Sequence, residues 1–185
     1  MNIVKGENLI MNEFLSEEIM NNIEYCREII KLENDDPRKF SVINRTNGYK
    51  LGEIDSVPIY FDPIYLRQHD QVMAMACHNG DIVVDEKLLR LSFEGIIWNI
   101  YHELGHIKLS HKDLYPYISE YKTERKKCSQ LGKVLPIELE ADNYCYDIIG
   151  HDNFIKGMKD SRVVAEQCNR DVKEMDLRIQ NFENK

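Results

Sequence analysis

Two periodicities organise the chain. Over 16–32, Ile19, Ile23, Cys26 and Ile30 recur at the spacing of one helix face, Ser16 stands where an N-cap belongs, and Glu17 and Glu18 suit the positive end of the helix dipole. The run Asn34-Asp35-Asp36-Pro37 then stops the helix. The stretch 40–65 is less regular. Within it, 57–61 predicts a short strand, and Pro58 confines it to an edge or a strand end because proline offers no N–H to a ladder. Segments 72–77 and 82–84 flank Asn79-Gly80, two residues that tolerate positive φ, so they predict a β-hairpin ending at Asp85.

A long helix is expected over 92–111, capped by Ser92, with Phe93, Ile96, Ile97, Ile100, Leu104 and Ile107 forming one apolar stripe. From 112 to 133 the chain is polar and tyrosine-rich, and part of it fits a charged helix. Pro136 suits a first helical turn and Gly150 a terminus, with Ile137, Ala141, Tyr144, Cys145 and Ile148 as the buried face. Over 161–185, Val164, Cys168, Val172, Met175, Ile179 and Phe182 repeat with near-heptad spacing. That amphipathic helix can pack on the domain or serve association with another chain. The reading is a single domain over 1–160, with its core at 57–150, followed by this helix.

Composition narrows the function classes. With 43% hydrophobic and 30% charged residues, the 185-residue chain can build a core and remain soluble. The net charge of −8 argues against nucleic-acid binding, which relies on a basic surface; the lone cluster Arg125-Lys126-Lys127 reads as a solvated face. No apolar run reaches the roughly 18 residues of a membrane span, and residues 1–10 carry no secretory pattern. Five cysteines, widely spaced and without a CxxC pair, read as reduced packing residues, so the cytoplasm is the expected location.

The chemistry lies in His102-Glu103-Leu104-Gly105-His106. Positions i and i+4 share a helix face, so both imidazoles can reach one metal ion, with Glu103 beside them as a base for metal-bound water. A catalytic zinc needs a third protein ligand. Glu138-Leu139-Glu140-Ala141-Asp142 offers one: Glu138 and Asp142 share a face, Glu138 as ligand and Asp142 as acceptor for the second ring nitrogen of a ligand histidine. Glu140 is the rival ligand, but it sits roughly 200° round the helix from Glu138 and reads better as a surface charge or salt-bridge partner. A metzincin motif is excluded, since Leu109 and Lys112 stand where its glycine and third histidine belong; His111 is expected at the helix end, near the negative dipole terminus. His69, His78 and His151 read as ordinary surface or hydrogen-bonding histidines. Tyr115, Tyr117, Tyr144 and His151 have the chemistry to stabilise a tetrahedral intermediate, and spacing selects none of them.

These motifs resemble the gluzincin peptidases, and most closely the compact ImmA/IrrE-type metallopeptidases: HELGH, a short apolar stretch with a histidine, then ExxAD. His102, Glu103, His106, His111, Glu138, Ala141 and Asp142 match, and the resemblance covers about 82–150. Asn143-Tyr144-Cys145-Tyr146-Asp147 departs from the usual alanine-rich run that follows the third ligand. The resemblance implies an α+β, zincin-like domain whose short, mostly antiparallel sheet packs on the active-site helix and flanking helices. It implies one Zn2+ per chain and a protein or peptide substrate, such as a regulatory protein, held against the edge strand Ile82-Val83-Val84. The implied activity is that of a zinc metalloendopeptidase acting through Glu103-activated, zinc-bound water. The alternatives are a catalytically silent, zinc-containing regulatory binding protein, for example of a phage or mobile element, and a metal hydrolase acting on a non-peptide bond.

Overall fold

The computed structural model describes residues 13–35, 48–67, 73–183 and 185. His69, Val72 and the Asp36-Pro37 stop lie outside them. The protein is α+β, and the chain divides into two compact units, Met1–Arg90 and Leu91–Lys185. The expected division between 160 and 161 falls inside a continuous helix instead.

In the first unit, helix α1 (Glu17–Asp35) starts as predicted, with Ser16 Oγ accepting from the Ile19 N–H at 3.3 Å. Strands β1 (Tyr49–Ile54) and β2 (Val57–Phe61) form a hairpin whose turn residues, Asp55 and Ser56, both adopt positive φ. Helix α2 (Pro63–Arg67) leads towards β3 (Ala74–Ala76) and β4 (Ile82–Val84), the hairpin around Asn79-Gly80. The sheet order is β1-β2-β4-β3, with β2 and β4 parallel and the other two pairings antiparallel. The sheet is therefore mixed.

Helix α1 packs on β1 through Ile19, which lies over Gly52; a Cβ there would stand 2.5 Å from Ile19 Cγ1. The register of β1 shifts between Lys50 and Gly52, and the Asn22 side chain donates to the Leu51 carbonyl at 2.9 Å in this irregular stretch.

Two strand expectations change. Strand β2 lies inside the sheet, and Pro58 is accommodated because pairing with β4 begins only at Ile59. Strand β4 is not an edge either. Ile82, Val83 and Val84 are bonded to β2 on one side and β3 on the other, so their main chain has no free side to offer an extended substrate. Among the described residues, β1 and β3 are the outer strands.

The second unit is helical and is built round α3 (Phe93–Lys108). Ser92 Oγ caps it by accepting from the Gly95 N–H at 3.1 Å, and Asp160 Oδ2 accepts from the Ser92 N–H at 2.6 Å. Every residue from Gly95 to Gly105 except Glu103 is buried, so α3 is enclosed on nearly all sides rather than along one stripe. Helices α6 (Pro136–Ile149) and α7 (His151–Gln167) supply that enclosure. Glycine permits both approaches: a Cβ on Gly157 would stand 2.3 Å from the Glu94 carbonyl oxygen, and one on Gly105 3.1 Å from Ala141 Cα. Between α3 and α6 run the short α4 (His111–Leu114) and the charged α5 (Ile118–Gln130).

Left-handed Ser110 (φ 55°) ends the segment three residues before its expected limit and puts His111 at the start of a new turn. The near-heptad series likewise breaks at Asn169 (φ 55°), so it is shared between α7 and α8 (Lys173–Glu183). Ile179 and Phe182 of α8 are buried within this unit, with the Phe182 ring 4.5 Å from that of Phe154 and 5.4 Å from that of Tyr146.

Candidate metal site

His102 and His106 lie one turn apart on α3 and face Glu138 in the first turn of α6. Their separations are 3.1 Å between the two Nε2 atoms, 3.5 Å from His102 Nε2 to Glu138 Oε2, and 3.6 Å from His106 Nε2 to Glu138 Oε1. A tetrahedron with ligand bonds of about 2.0–2.1 Å has edges of about 3.3–3.4 Å. The three donors thus already stand at the spacing of one face of such a tetrahedron, and all three ligand atoms fall within 4.8 Å of one another. They fit a metal ion. Gly105 helps set this spacing, because a larger residue would hold α6 and its Glu138 away from the histidines.

Each ligand has its own support. His102 Nδ1 lies 3.0 Å from Asp142 Oδ1, the arrangement the i, i+4 spacing of Glu138 and Asp142 predicts. With Nδ1–H donated to Asp142, His102 presents the Nε2 lone pair to the metal position. His106 Nδ1 lies 2.8 Å from Nδ1 of His111, whose Nε2 is 3.1 Å from Glu140 Oε2. His111 is therefore not a polar residue at the end of α3 but a buried partner of the second ligand, at the start of α4. Glu140 stands outside the ligand group and is half exposed, as expected of a salt-bridge residue. Glu103, between the two histidines in sequence, is half-buried on α3 and is not among the three ligands.

Three participants escape sequence reasoning. Arg178, from α8, is buried with Nε 2.7 Å from Asp142 Oδ2, Nη2 2.6 Å from Asp142 Oδ1 and Nη1 3.4 Å from Glu138 Oε2. Its guanidinium also lies over the Trp98 ring at 5.3 Å. Tyr121, on α5, donates to Glu138 Oε1 at 2.9 Å and accepts from Arg125 at 2.8 Å, while Arg125 holds Glu174 of α8 through two bonds of 2.8 and 2.7 Å. Tyr121 is thus a tyrosine whose hydroxyl reaches a ligand; Tyr117 is exposed, and His151 pairs with Asp152 at the surface. The only local hint is the i, i+4 spacing of Tyr121 and Arg125.

Electrostatics follow from this packing. Burial opposes the charge on Glu138, but the His102 hydrogen bond and the fields of His106 and Arg178 hold its carboxyl well below the usual range. Asp142 is likewise lowered, burial being outweighed by Arg178 and His102. Burial, with His102, His111 and Arg178 nearby, pushes His106 down to about 3 against the pull of Glu138. For His102, burial and Arg178 act against protonation, yet Asp142 and Glu138 prevail and raise it to about 9. In the metal-free chain His102 therefore tends to hold a second proton, favoured by the carboxylates of Asp142 and Glu138. Burial pushes the Cys26 thiol up to about 12 and raises that of Cys145 as well, so neither serves as a ready thiolate nucleophile.

No protein-family model matches the chain, and neither curated proteins nor solved structures provide a match. No helix among the described residues is long and apolar enough to cross a membrane.

Proposed function

We propose that this protein is a zinc-dependent metallopeptidase of the gluzincin type, with a zincin-like arrangement of its helices. The observation that carries the reading is the buried His102-His106-Glu138 group, whose donor atoms stand at the spacing of one face of a tetrahedral site. Two imidazole nitrogens and one carboxylate suit zinc, and they leave a coordination position for water or substrate. A bound zinc ion supplies Lewis acidity, bringing the pKa of a coordinated water from 15.7 to roughly 7.

The chain's own residues supply the rest. Glu103 takes the proton of the attacking water and passes it to the leaving amine, the role open to a carboxylate beside the ligands but not among them. Asp142 holds His102 in the tautomer that presents Nε2, and Arg178 holds Asp142. Tyr121 fixes Glu138 through its hydroxyl. The choice of a peptide bond, and of a particular regulatory protein as substrate, rests on the resemblance to ImmA/IrrE-type peptidases.

The test compares the zinc-loaded protein with its Glu103→Gln variant on a proteome-derived peptide library, scoring new termini by mass spectrometry. Wild type should cut, and the variant should retain its zinc while cutting on the order of a hundred-fold more slowly. If neither protein cuts the library or co-expressed candidate partners, the zinc serves binding and the peptidase reading falls.

A further inference from the structure

Resting on the metal-site reading, we infer that His111 is a positioning residue for the second metal ligand, His106, and that it acts through its Nδ1 atom. The two ligand histidines are supported by different chemistry. His102 leans on a carboxylate, Asp142, that is itself neutralised by Arg178. His106 meets a second imidazole at its Nδ1, at 2.8 Å, in place of a carboxylate.

The hydrogen bonding of that pair has one self-consistent solution. His106 turns Nε2 towards His102 and Glu138, so its proton in the metal-loaded state sits on Nδ1. That N–H needs an acceptor, and Nδ1 of His111 supplies a lone pair only if the His111 proton is on Nε2. The Nε2–H then needs an acceptor in turn, and Glu140 Oε2 stands there at 3.1 Å. The order is Glu140, His111, His106, metal position, with every donor matched to an acceptor. His111 is 3% exposed, so water does not readily replace it, whereas the half-exposed Glu140 side chain ends the relay at the surface. The left-handed turn at Ser110 is what brings His111 back against His106.

The test uses the full chain and competition with a chromophoric zinc chelator, so the readout is metal affinity rather than turnover. His111→Phe keeps a ring in the buried space but offers no acceptor, and it should weaken zinc binding about 10- to 100-fold. His111→Asn places an amide oxygen on Cγ, where Nδ1 was, and should stay within about threefold of wild type. His111→Gln carries its oxygen one atom further out and should behave like the Phe variant; should His111→Phe fail to fold, the Asn and Gln pair decides alone. In the cobalt-substituted protein, the His106 Nδ1–H should exchange with solvent faster in His111→Gln than in His111→Asn. Equal zinc affinity of the Asn and Gln variants, or wild-type affinity in the Phe variant, overturns the assignment. A wild-type chain that takes up no zinc removes the metal-site reading itself, a result distinct from any difference among variants.

Discussion

Arg178 grips both carboxylate oxygens of Asp142, with Nη2 2.6 Å from Oδ1 and Nε 2.7 Å from Oδ2, across 36 residues of sequence. The pair ties the C-terminal helix α8 to the helix that carries the third metal ligand. Asp142 is fully buried and Arg178 nearly so, so neither charge has water to fall back on. Removing one partner leaves the other with a weaker one, His102 for Asp142 or Glu138 for Arg178. Arg178→Met should therefore destabilise the protein by about 3–5 kcal/mol, and combining it with Asp142→Asn should recover part of the loss. Denaturant unfolding of the single and double variants measures this; a single-variant loss under about 1 kcal/mol would contradict it.

The close approach of α3 and α6 gives a second expectation. A Cβ at Gly105 already meets Ala141 Cα and the Ala141 carbonyl oxygen at 3.1 Å, and the two further methyls of valine have nowhere to go without moving backbone. Gly105→Val should cost about 1–3 kcal/mol and lower zinc affinity more than about tenfold, because Glu138 moves with α6. Unfolding and chelator competition on the same preparation show whether the two losses occur together.

Much of this geometry is legible in local spacing. The i, i+4 pairs His102/His106 and Glu138/Asp142 each fix a helix face, and Pro136 and Gly150 mark the ends of α6 within a residue. What stays hidden depends on contacts distant in sequence. Arg178 sits between Met175 and Ile179 of an apolar series, and nothing local marks it for the site; only the packing of α8 in its own unit turns it inward. His111 reads as a helix end because nothing local announces the left-handed Ser110 that turns the chain there. Strand β1 carries no mark of its own, its Lys50, Gly52 and Glu53 obscuring any alternation. The resemblance implies an edge at Ile82–Val84, and the parallel pairing with β2 that places it inside the sheet joins segments more than twenty residues apart.

The choice between carboxylates on α6 is directly testable. Glu138→Ala should abolish tight zinc binding. Glu140→Ala should keep it within about tenfold, since Glu140 touches His111 rather than the ligand group, and water can serve its exposed position. Isothermal titration with zinc separates the two; the reverse pattern would mean that α6 presents its other face.

Zinc uptake should depend on pH in a defined sense. His102 is raised to about 9, so below that pH the metal-free chain holds a second proton on it; His106, at about 3, and Glu138, held well below the usual carboxylate range, hold none that zinc must displace. Zinc must displace that one proton. Affinity should then rise about tenfold per pH unit below about pH 7 and more steeply above it, with one proton released from His102 per zinc bound and a further one as a coordinated water ionises. Calorimetry in buffers of different ionisation enthalpy counts the proton; no release at about pH 7 would place both histidines in their neutral forms already.

The central claim is that His102, His106 and Glu138 form a metal site beside a carboxylate that does not ligate. Elemental analysis of wild type and Glu103→Gln, both purified without chelators, tests it most directly. About one zinc ion per chain is expected in each protein, because the Glu103→Gln substitution leaves all three ligands in place. Absence of any transition metal from both, with no uptake when zinc is added, would contradict the account.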